Sequence, residues 1–282
     1  MKLGIFAKTY QRATVEAVFA VCIGDGLPVV QFNFVSAGLV PMPERIGASA
    51  VTHIRAAADK AGVEISTISA TFNMIHPDPA VRTHGLELLE VIAAVAGDLG
   101  ATTLSLCTGS RDPENMWHAH PRNDAPDAWT DIVASMHKAV AIADKYDLGL
   151  AMEPEPGNVI KNAQRAKKLL DEIGSDRLGI ILDPANLIEG VPTTRHAAVI
   201  TEAIDLLAAR TVMLHGKDRD AQGAVQAPGA GIVPWSSFLQ QVLATGYDGP
   251  LILHGFPESA VPAAVNYLRG VLGDPGSTES AQ

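Results

Sequence analysis

The sequence contains few cysteines, few aromatic residues and few basic residues. The two cysteines, Cys22 and Cys107, are too few for a disulfide framework or a zinc ribbon, and we interpret both as small core residues. Aromatic residues make up 5% of the chain, which favours helices packed on a parallel sheet over a β-sandwich. The 21 Lys and Arg residues and 31 Asp and Glu residues give a formal net charge of -10. Nucleic acid and anionic membranes are therefore not expected as partners, because neutralising phosphates needs a basic surface.

Long apolar runs are also missing. The hydrophobic run near the N-terminus stops at Lys8, which is too short for a signal peptide, and no stretch approaches the length of a transmembrane helix. We therefore expect a cytoplasmic protein. Hydrophobic residues make up 47% of the 282 residues, enough to bury a large core in one domain over residues 1–272. Residues 273–282 are rich in small and polar side chains and are expected to form a disordered tail.

In the second half of the chain, four short apolar runs each end directly before a side chain that can bind a metal ion. Such runs are typical of strands buried on both faces of a sheet. Parallel strands place their carboxyl ends at one face, so the four side chains are expected to converge there. Two carboxylates brought together without a cation repel each other, and a divalent metal ion relieves this repulsion. The predicted metal ligands are Glu153, Asp183, His215 and His254. The alternative is a rim of polar side chains that are hydrogen-bonded without a metal.

Amphipathic stretches separate the predicted strands along the whole chain. Asp78 before Pro79 is a helix start signal, and Gly62 is a helix end signal. Eight strand-helix units in this order predict an α/β protein with a single (β/α)8 TIM barrel. Enzymes with this fold keep their chemistry at the carboxyl ends of the strands.

The longest predicted loop, residues 108–124, contains Arg111, Trp117, His118 and His120. Loops of this length are often functional lids, and we expect the Trp117 ring to stack on a sugar and the Arg111 guanidinium to hold an anion. An exposed tryptophan is equally typical of a subunit contact, so a homo-oligomer is the alternative. The predicted substrate-binding residues are Asn33, His76, Arg111, Trp117, Glu155 and Asn186.

The segment after the seventh predicted strand, residues 215–220, is too polar to be core. We expect Lys217 to face the pocket together with His215, and Arg219 and Asp220 to lie in a solvated loop. A glycine-rich loop, residues 228–231, then leads into a helix whose first turn could hold an anion or a substrate hydroxyl. As a phosphate signal it is weak, because it lacks the Walker lysine pattern and the dinucleotide spacing.

These residues together resemble a known group of enzymes. Glu153, Asp183, His215 and the Pro228-Gly-Ala-Gly231 loop followed by Trp235 are similar to the xylose-isomerase-like sugar phosphate isomerase/epimerase superfamily, which includes ketose 3-epimerases, inosose dehydratase and isomerase, and endonuclease IV. The resemblance implies metal ligands on strands five to eight: Glu, Asp, His and usually a second Glu. In this chain His254 stands at the position of that second glutamate.

The resemblance implies a metal-dependent sugar isomerase or epimerase that abstracts a proton next to the carbonyl of a ketose or polyol-derived ketone. Glu153 would be both ligand and base, His254 a ligand or opposing acid, and Lys217 an electrophilic partner. Mn²⁺ or Mg²⁺ is the expected cofactor, with Zn²⁺, Co²⁺ or Fe²⁺ as alternatives. Because His254 replaces the glutamate, a metal-dependent lyase or dehydratase on a keto-sugar or keto-glycoside stays open. A non-catalytic sugar-binding relative is the remaining alternative.

Overall fold

Eight parallel strands close into a barrel in residues 1–273, the part of the chain that this computed structural model describes. Neighbours in chain order pair, and the first barrel strand pairs with the last. The barrel strands are β1 (Leu3–Phe6), β2 (Val29–Phe32), β3 (Glu64–Ser69), β4 (Thr103–Leu106), β5 (Gly149–Met152), β6 (Leu178–Leu182), β7 (Thr211–Gly216) and β10 (Leu251–Leu253). Between β7 and β10 the chain forms a short antiparallel hairpin, β8 (Asp218–Arg219) and β9 (Val225–Gln226). The predicted (β/α)8 TIM barrel is confirmed.

Helices surround the barrel and pack on the strands through their apolar faces. They are α1 (Val15–Gly24), α2 (Ala48–Ala61), α3 (Pro79–Ala96), α4 (Pro126–Lys145), α5 (Ala163–Ile173), α6 (Pro184–Leu187), α7 (His196–Leu207), α8 (Trp235–Ala244) and α9 (Val261–Leu272). The Asp78 side chain accepts a hydrogen bond from the backbone N–H of Ala80, and Gly62 ends α2 in the left-handed conformation with φ 73°. Both cap signals therefore act as the sequence indicates.

The last helix ends at Gly273, which adopts the left-handed conformation with φ 72°. The remainder of the predicted tail, residues 274–282, lies outside the described residues. In the described part of the chain, none of the helices is both long and apolar enough to cross a membrane.

Alternation of side chains along the strands separates an apolar layer from a polar layer inside the barrel. The apolar cluster on the inner face consists of Phe6, Val29, Ala151, Ile181, Met213 and Ile252. Two residues further along five of these strands, the side chains on the same face are polar. They are Gln31, Glu153, Asp183, His215 and His254. The polar layer therefore lies directly above an apolar floor, at the carboxyl ends of the strands.

The segment after β7 differs from the expected polar loop. Asp218 is 0% exposed, and its carboxylate accepts hydrogen bonds from the backbone N–H groups of Gly229 and Val233 and from the indole N–H of Trp235. The glycine-rich loop thus folds around an internal carboxylate, which accepts hydrogen bonds from backbone N–H groups of the segment before α8. Gly231 permits this contact, because a Cβ atom there would lie 2.3 Å from Oδ1 of Asp218.

Candidate active site

The four predicted metal ligands come together at the carboxyl end of the barrel. Glu153 follows β5, Asp183 follows β6, His215 is part of β7 and His254 follows β10. Each offers one ligand atom, and these atoms lie within 4.8 Å of one another. The convergence follows from the fold, because each side chain occupies the position directly above the apolar floor on its own strand.

Direct contacts connect the cluster. Nδ1 of His215 lies 3.0 Å from Oε2 of Glu153, and Nε2 of His254 lies 3.2 Å from Oδ2 of Asp183. The two imidazole rings are 4.1 Å apart between centroids. The second oxygen of Asp183, Oδ1, accepts a hydrogen bond from the backbone N–H of Ala185 at 2.8 Å. Asp183 therefore caps α6 with one oxygen and presents the other to the cluster.

Gln31 in β2 orients His215. Nε2 of His215 lies 2.8 Å from Oε1 of Gln31, and the amide nitrogen of Gln31 donates to Oγ of Ser105 at 2.9 Å. In this arrangement Nε2 of His215 carries the proton, and Nδ1 is left with a lone pair. Within residues 1–273, Nδ1 is buried without a hydrogen-bond partner although it faces Glu153. A cation stabilises a lone pair that faces a carboxylate oxygen, so the four side chains fit a divalent metal ion.

Burial sets the charge of the ligands. It lowers the pKa of His215 to about 3 and that of His254 to about 4, so both imidazoles are neutral near pH 7 and can donate a lone pair. Burial also raises the pKa of Glu153 to about 7; Lys217 opposes this shift and Asp183 adds to it. Burial also acts to raise the pKa of Asp183, but Lys217 and His254 outweigh burial and hold this pKa well below its usual range.

Lys217 places a cation against the cluster. Its Nζ lies 2.9 Å from Oδ2 of Asp183 and 3.7 Å from Oε1 of Glu153. Burial acts to lower the pKa of Lys217, but these two carboxylates and Glu155 outweigh burial and raise the pKa. The side chain is therefore charged, and it faces the site as we expected from the sequence.

A cavity of about 640 Å³ opens above the cluster, a volume typical of small-molecule sites. Phe6 and Phe256 form apolar parts of its wall, and the half-exposed Trp117 lies at its edge. Burial, with repulsion from Glu153, raises the pKa of Glu155 to about 8. The predicted site residues that line the cavity are Trp117, Glu153, Glu155, His215, Lys217 and His254.

Four predicted substrate-binding residues are absent from the described lining of this cavity. Arg111 is buried, and its guanidinium lies 2.7 Å from a carboxylate oxygen of Asp131 in α4. It therefore anchors the loop of residues 108–124 instead of offering a charge to a substrate anion. Asn33 caps a short helical turn, and His76 hydrogen-bonds to backbone atoms of nearby loops. The structure places these three residues outside the described lining of the cavity, and their contact with substrate stays a prediction.

Asn186 is not among the residues described as lining the cavity, but it contacts Glu153, which is. Its amide nitrogen donates a hydrogen bond to Oε1 of Glu153 at 2.7 Å. The contact fixes one oxygen of Glu153, while the other oxygen faces His215. Asn186 therefore positions a predicted ligand, and its contact with substrate stays a prediction.

Several polar residues that line the cavity were not predicted from the sequence. Gln31, Ser69 and Ser105 lie within or at the end of predicted strands, and Gln11 follows the first strand. A polar side chain inside an apolar run was the available signal, since Gln31 stands between Val30 and Phe32. Strand pairing was needed to show that such residues point inward, because alternation alone does not say which face is the interior.

Comparison with known proteins agrees with the fold. The family model described as xylose isomerase-like TIM barrel matches residues 21–271. The chain belongs to this family. The resemblance predicted from the strand-end residues is thereby confirmed.

Individual relatives include sugar epimerases. A ketose 3-epimerase from Arthrobacter globiformis is 25% identical over 200 residues, which are 69% of this chain and 63% of that protein, so the match spans less than two thirds of the relative. D-psicose 3-epimerase from Clostridium cellulolyticum H10, solved with D-tagatose, has a TM-score of 0.75 and 16% identity over 96% of this chain and 99% of its own. An IOLI protein with a bound zinc atom has a TM-score of 0.74 and 13% identity over 100% of both chains. At these identities the two structures show a shared fold.

Proposed function

We propose that this protein is a metal-dependent isomerase or epimerase that moves a proton at a carbon next to the carbonyl of a ketose or polyol-derived ketone. The observation that carries the proposal is the convergence of Glu153, Asp183, His215 and His254, three of which, Glu153, His215 and His254, line the cavity. The ketose 3-epimerase relative supports this choice of reaction.

Glu153, Asp183, His215 and His254 would hold the metal ion. Two carboxylates and two neutral imidazoles suit Mn²⁺ or Mg²⁺, with Zn²⁺, Co²⁺ or Fe²⁺ as alternatives. When bound, a divalent ion polarises the substrate carbonyl and stabilises the negative charge that develops as the proton leaves. Gln31 supports this ligand set, because it keeps the proton of His215 on the nitrogen that faces away from Glu153.

Glu153 is the proposed base. Burial raises its pKa to about 7, and a base is most effective when its pKa is near the working pH. Asn186 restrains one of its oxygens, so the carboxylate has a fixed orientation at the cavity floor. As the alternative to its role as a ligand, His254 is the proposed opposing acid, a role that requires it to take up a proton first. It lines the cavity and stands where the family resemblance implies a glutamate. The Lys217 ammonium would stabilise charge on a substrate oxygen.

The cavity suits a small polyhydroxylated substrate. The Trp117 ring at the edge and Phe256 in the wall offer surfaces on which a sugar ring can stack. Gln11 and Glu155 offer hydrogen-bonding groups for hydroxyls. We therefore propose a small sugar or polyol-derived ketone as the partner, with Trp117 and Glu155 in contact with it.

The test is proton exchange with solvent. The protein is incubated with Mn²⁺ and a panel of ketoses and keto-glycosides in D₂O, and deuterium at the carbon next to the carbonyl is followed by NMR. We expect exchange with at least one substrate, and a loss of at least about 10³-fold in Glu153→Gln, the upper part of the range for removing a general base. The matched control is Glu87→Gln, which changes an exposed glutamate on α3.

Three other results would change the assignment. Near-normal exchange in folded Glu153→Gln would rule out Glu153 as the base. An unsaturated product with no isomer would identify the lyase or dehydratase alternative, in which His254 protonates a leaving group. Sugar binding that is indifferent to chelators, without any turnover, would identify a non-catalytic sugar-binding protein.

A further inference from the structure

Lys217 makes its ion pair with the same carboxylates that would bind the metal ion. We propose that Lys217 and the divalent ion compete for Asp183 and Glu153, so that binding of the ion displaces the ammonium and Lys217 lowers the metal affinity of the site. This proposal rests on the metal site of the proposed function, but not on the reaction.

The hydrogen bonds of Asp183 leave little room for both cations. Oδ1 of Asp183 is engaged by the backbone N–H groups of Ala185 and Asn186 at 2.8 and 3.4 Å. Oδ2 is therefore the oxygen that remains for a metal ion. Lys217 Nζ lies 2.9 Å from this same atom, and Nε2 of His254 lies 3.2 Å from it. A metal ion on Oδ2 would have the ammonium as its direct neighbour.

The charges lead to the same conclusion. Glu153 and Asp183 carry at most two negative charges, whereas the Lys217 ammonium and a divalent ion together would carry three positive charges. The side chains are almost closed to water, with exposed fractions of 8% for Glu153, 0% for Asp183 and 9% for Lys217. Like charges in such surroundings are poorly screened, so the ammonium opposes the metal ion.

The displaced ammonium has space to move into. Lys217 lines the cavity, and Gly255 lies beside its side chain. A Cβ atom at Gly255 would be in ordinary van der Waals contact with Cδ of Lys217 at 3.4 Å, so the lysine stem lies directly beside this residue. Gly255 also has a φ of 83°, which favours glycine at this position.

The experiment measures metal affinity directly. Mn²⁺, and separately Zn²⁺, is titrated calorimetrically into the chelator-treated full chain and into Lys217→Gln, Lys217→Met and Lys217→Arg. Lys8→Gln is the matched control, because Lys8 also lines the cavity but makes no ion pair within 4.0 Å in residues 1–273. We expect both neutral variants to bind at least tenfold more tightly than the natural protein. Lys217→Arg and Lys8→Gln should stay within about threefold of it.

Equal or weaker binding in both neutral variants would overturn the competition, as would a failure of every protein to bind the ion. Equal tightening in Lys8→Gln would also overturn it, because the effect would then come from the general charge of the cavity. If the neutral variants bind one equivalent and the natural protein binds none, the competition holds and the metal dependence of the proposed function fails. Thermal unfolding provides a second readout: metal should raise the melting temperature more in the neutral variants than in the natural protein.

Discussion

Replacement of Gln31 by methionine tests how the protein orients His215. Oε1 of Gln31 lies 2.8 Å from Nε2 of His215, and both side chains are buried, with exposed fractions of 2% and 3%. Methionine has a similar length and fills the same space, but its thioether is a weak acceptor. The substitution therefore removes the hydrogen bond while leaving little empty volume. The proton of His215 is then free to move to the nitrogen that faces Glu153.

Two magnitudes follow from this geometry. A buried N–H group that loses its acceptor costs about 1–3 kcal/mol, so Gln31→Met should lower the free energy of unfolding by that amount in the presence of a chelator. Loss of the partner that orients a metal-binding histidine typically weakens metal binding by about 10–100-fold. This range corresponds to roughly 1.4–2.7 kcal/mol of binding free energy.

The assay combines chemical unfolding of the chelator-treated protein with calorimetric titration of Mn²⁺ or Zn²⁺. The matched control is Gln11→Met, which makes the same chemical change at another residue that lines the cavity. The control should leave both quantities within error of the natural protein. Unchanged metal affinity in Gln31→Met would refute the reasoning, since His215 would then be oriented without Gln31 or would not bind the ion.

Three further predictions concern the surroundings of the site. Asp218→Asn removes the negative charge that accepts hydrogen bonds from several donors, among them the indole N–H of Trp235. The substitution should lower the free energy of unfolding by about 2–4 kcal/mol in a denaturant titration. A change below about 0.5 kcal/mol would contradict a structural role for this internal carboxylate. Burial raises the pKa of Glu155 to about 8, so the folded natural protein holds this proton more tightly than the unfolded chain and loses stability as pH rises from about 4.5 through 8. Over this window the free energy of unfolding of chelator-treated Glu155→Gln should rise by roughly 2 kcal/mol relative to that of the natural protein, after allowance for partial exposure. A difference that does not depend on pH would contradict the raised pKa. Arg111→Met removes a buried guanidinium from its ion pair with the partly exposed Asp131. The substitution should cost about 1–3 kcal/mol of stability, with metal affinity unchanged. A stable variant with weakened sugar binding would support the predicted contact of Arg111 with substrate.

The fold and the metal-ligand cluster could be predicted from the sequence because both depend on local patterns. Short apolar runs bounded by turn signals identify buried strands, and a polar residue directly after each run lies at the carboxyl end of its strand. Glu153 and His254 are examples, since each follows the last residue of its strand. The closed parallel barrel then brings such positions together without further information.

The rest of the site depends on contacts between distant segments. Arg111 is a residue type that often binds anions, but its guanidinium forms an ion pair with Asp131, which lies 20 residues further along the chain on α4. Gln31 reaches His215 across 184 residues, through strand pairing that the sequence pattern does not specify. Asp218 stands within a charged segment of the sequence, so its burial could not be predicted. In the fold it is completely buried and accepts hydrogen bonds from the backbone of Val233 and the indole of Trp235.

The central claim is that four strand-end side chains form one divalent cation site. The most direct measurement is equilibrium dialysis of the chelator-treated protein against Mn²⁺ or Zn²⁺ at about 0.1 mM, the tight end of the dissociation constants of weak Ca²⁺ sites, followed by elemental mass spectrometry. We predict about one bound equivalent per chain, and its loss in Asp183→Asn and Glu153→Gln, with circular dichroism showing that both variants are folded. Absence of bound metal in the natural protein, or an unchanged equivalent in both variants, would contradict the account.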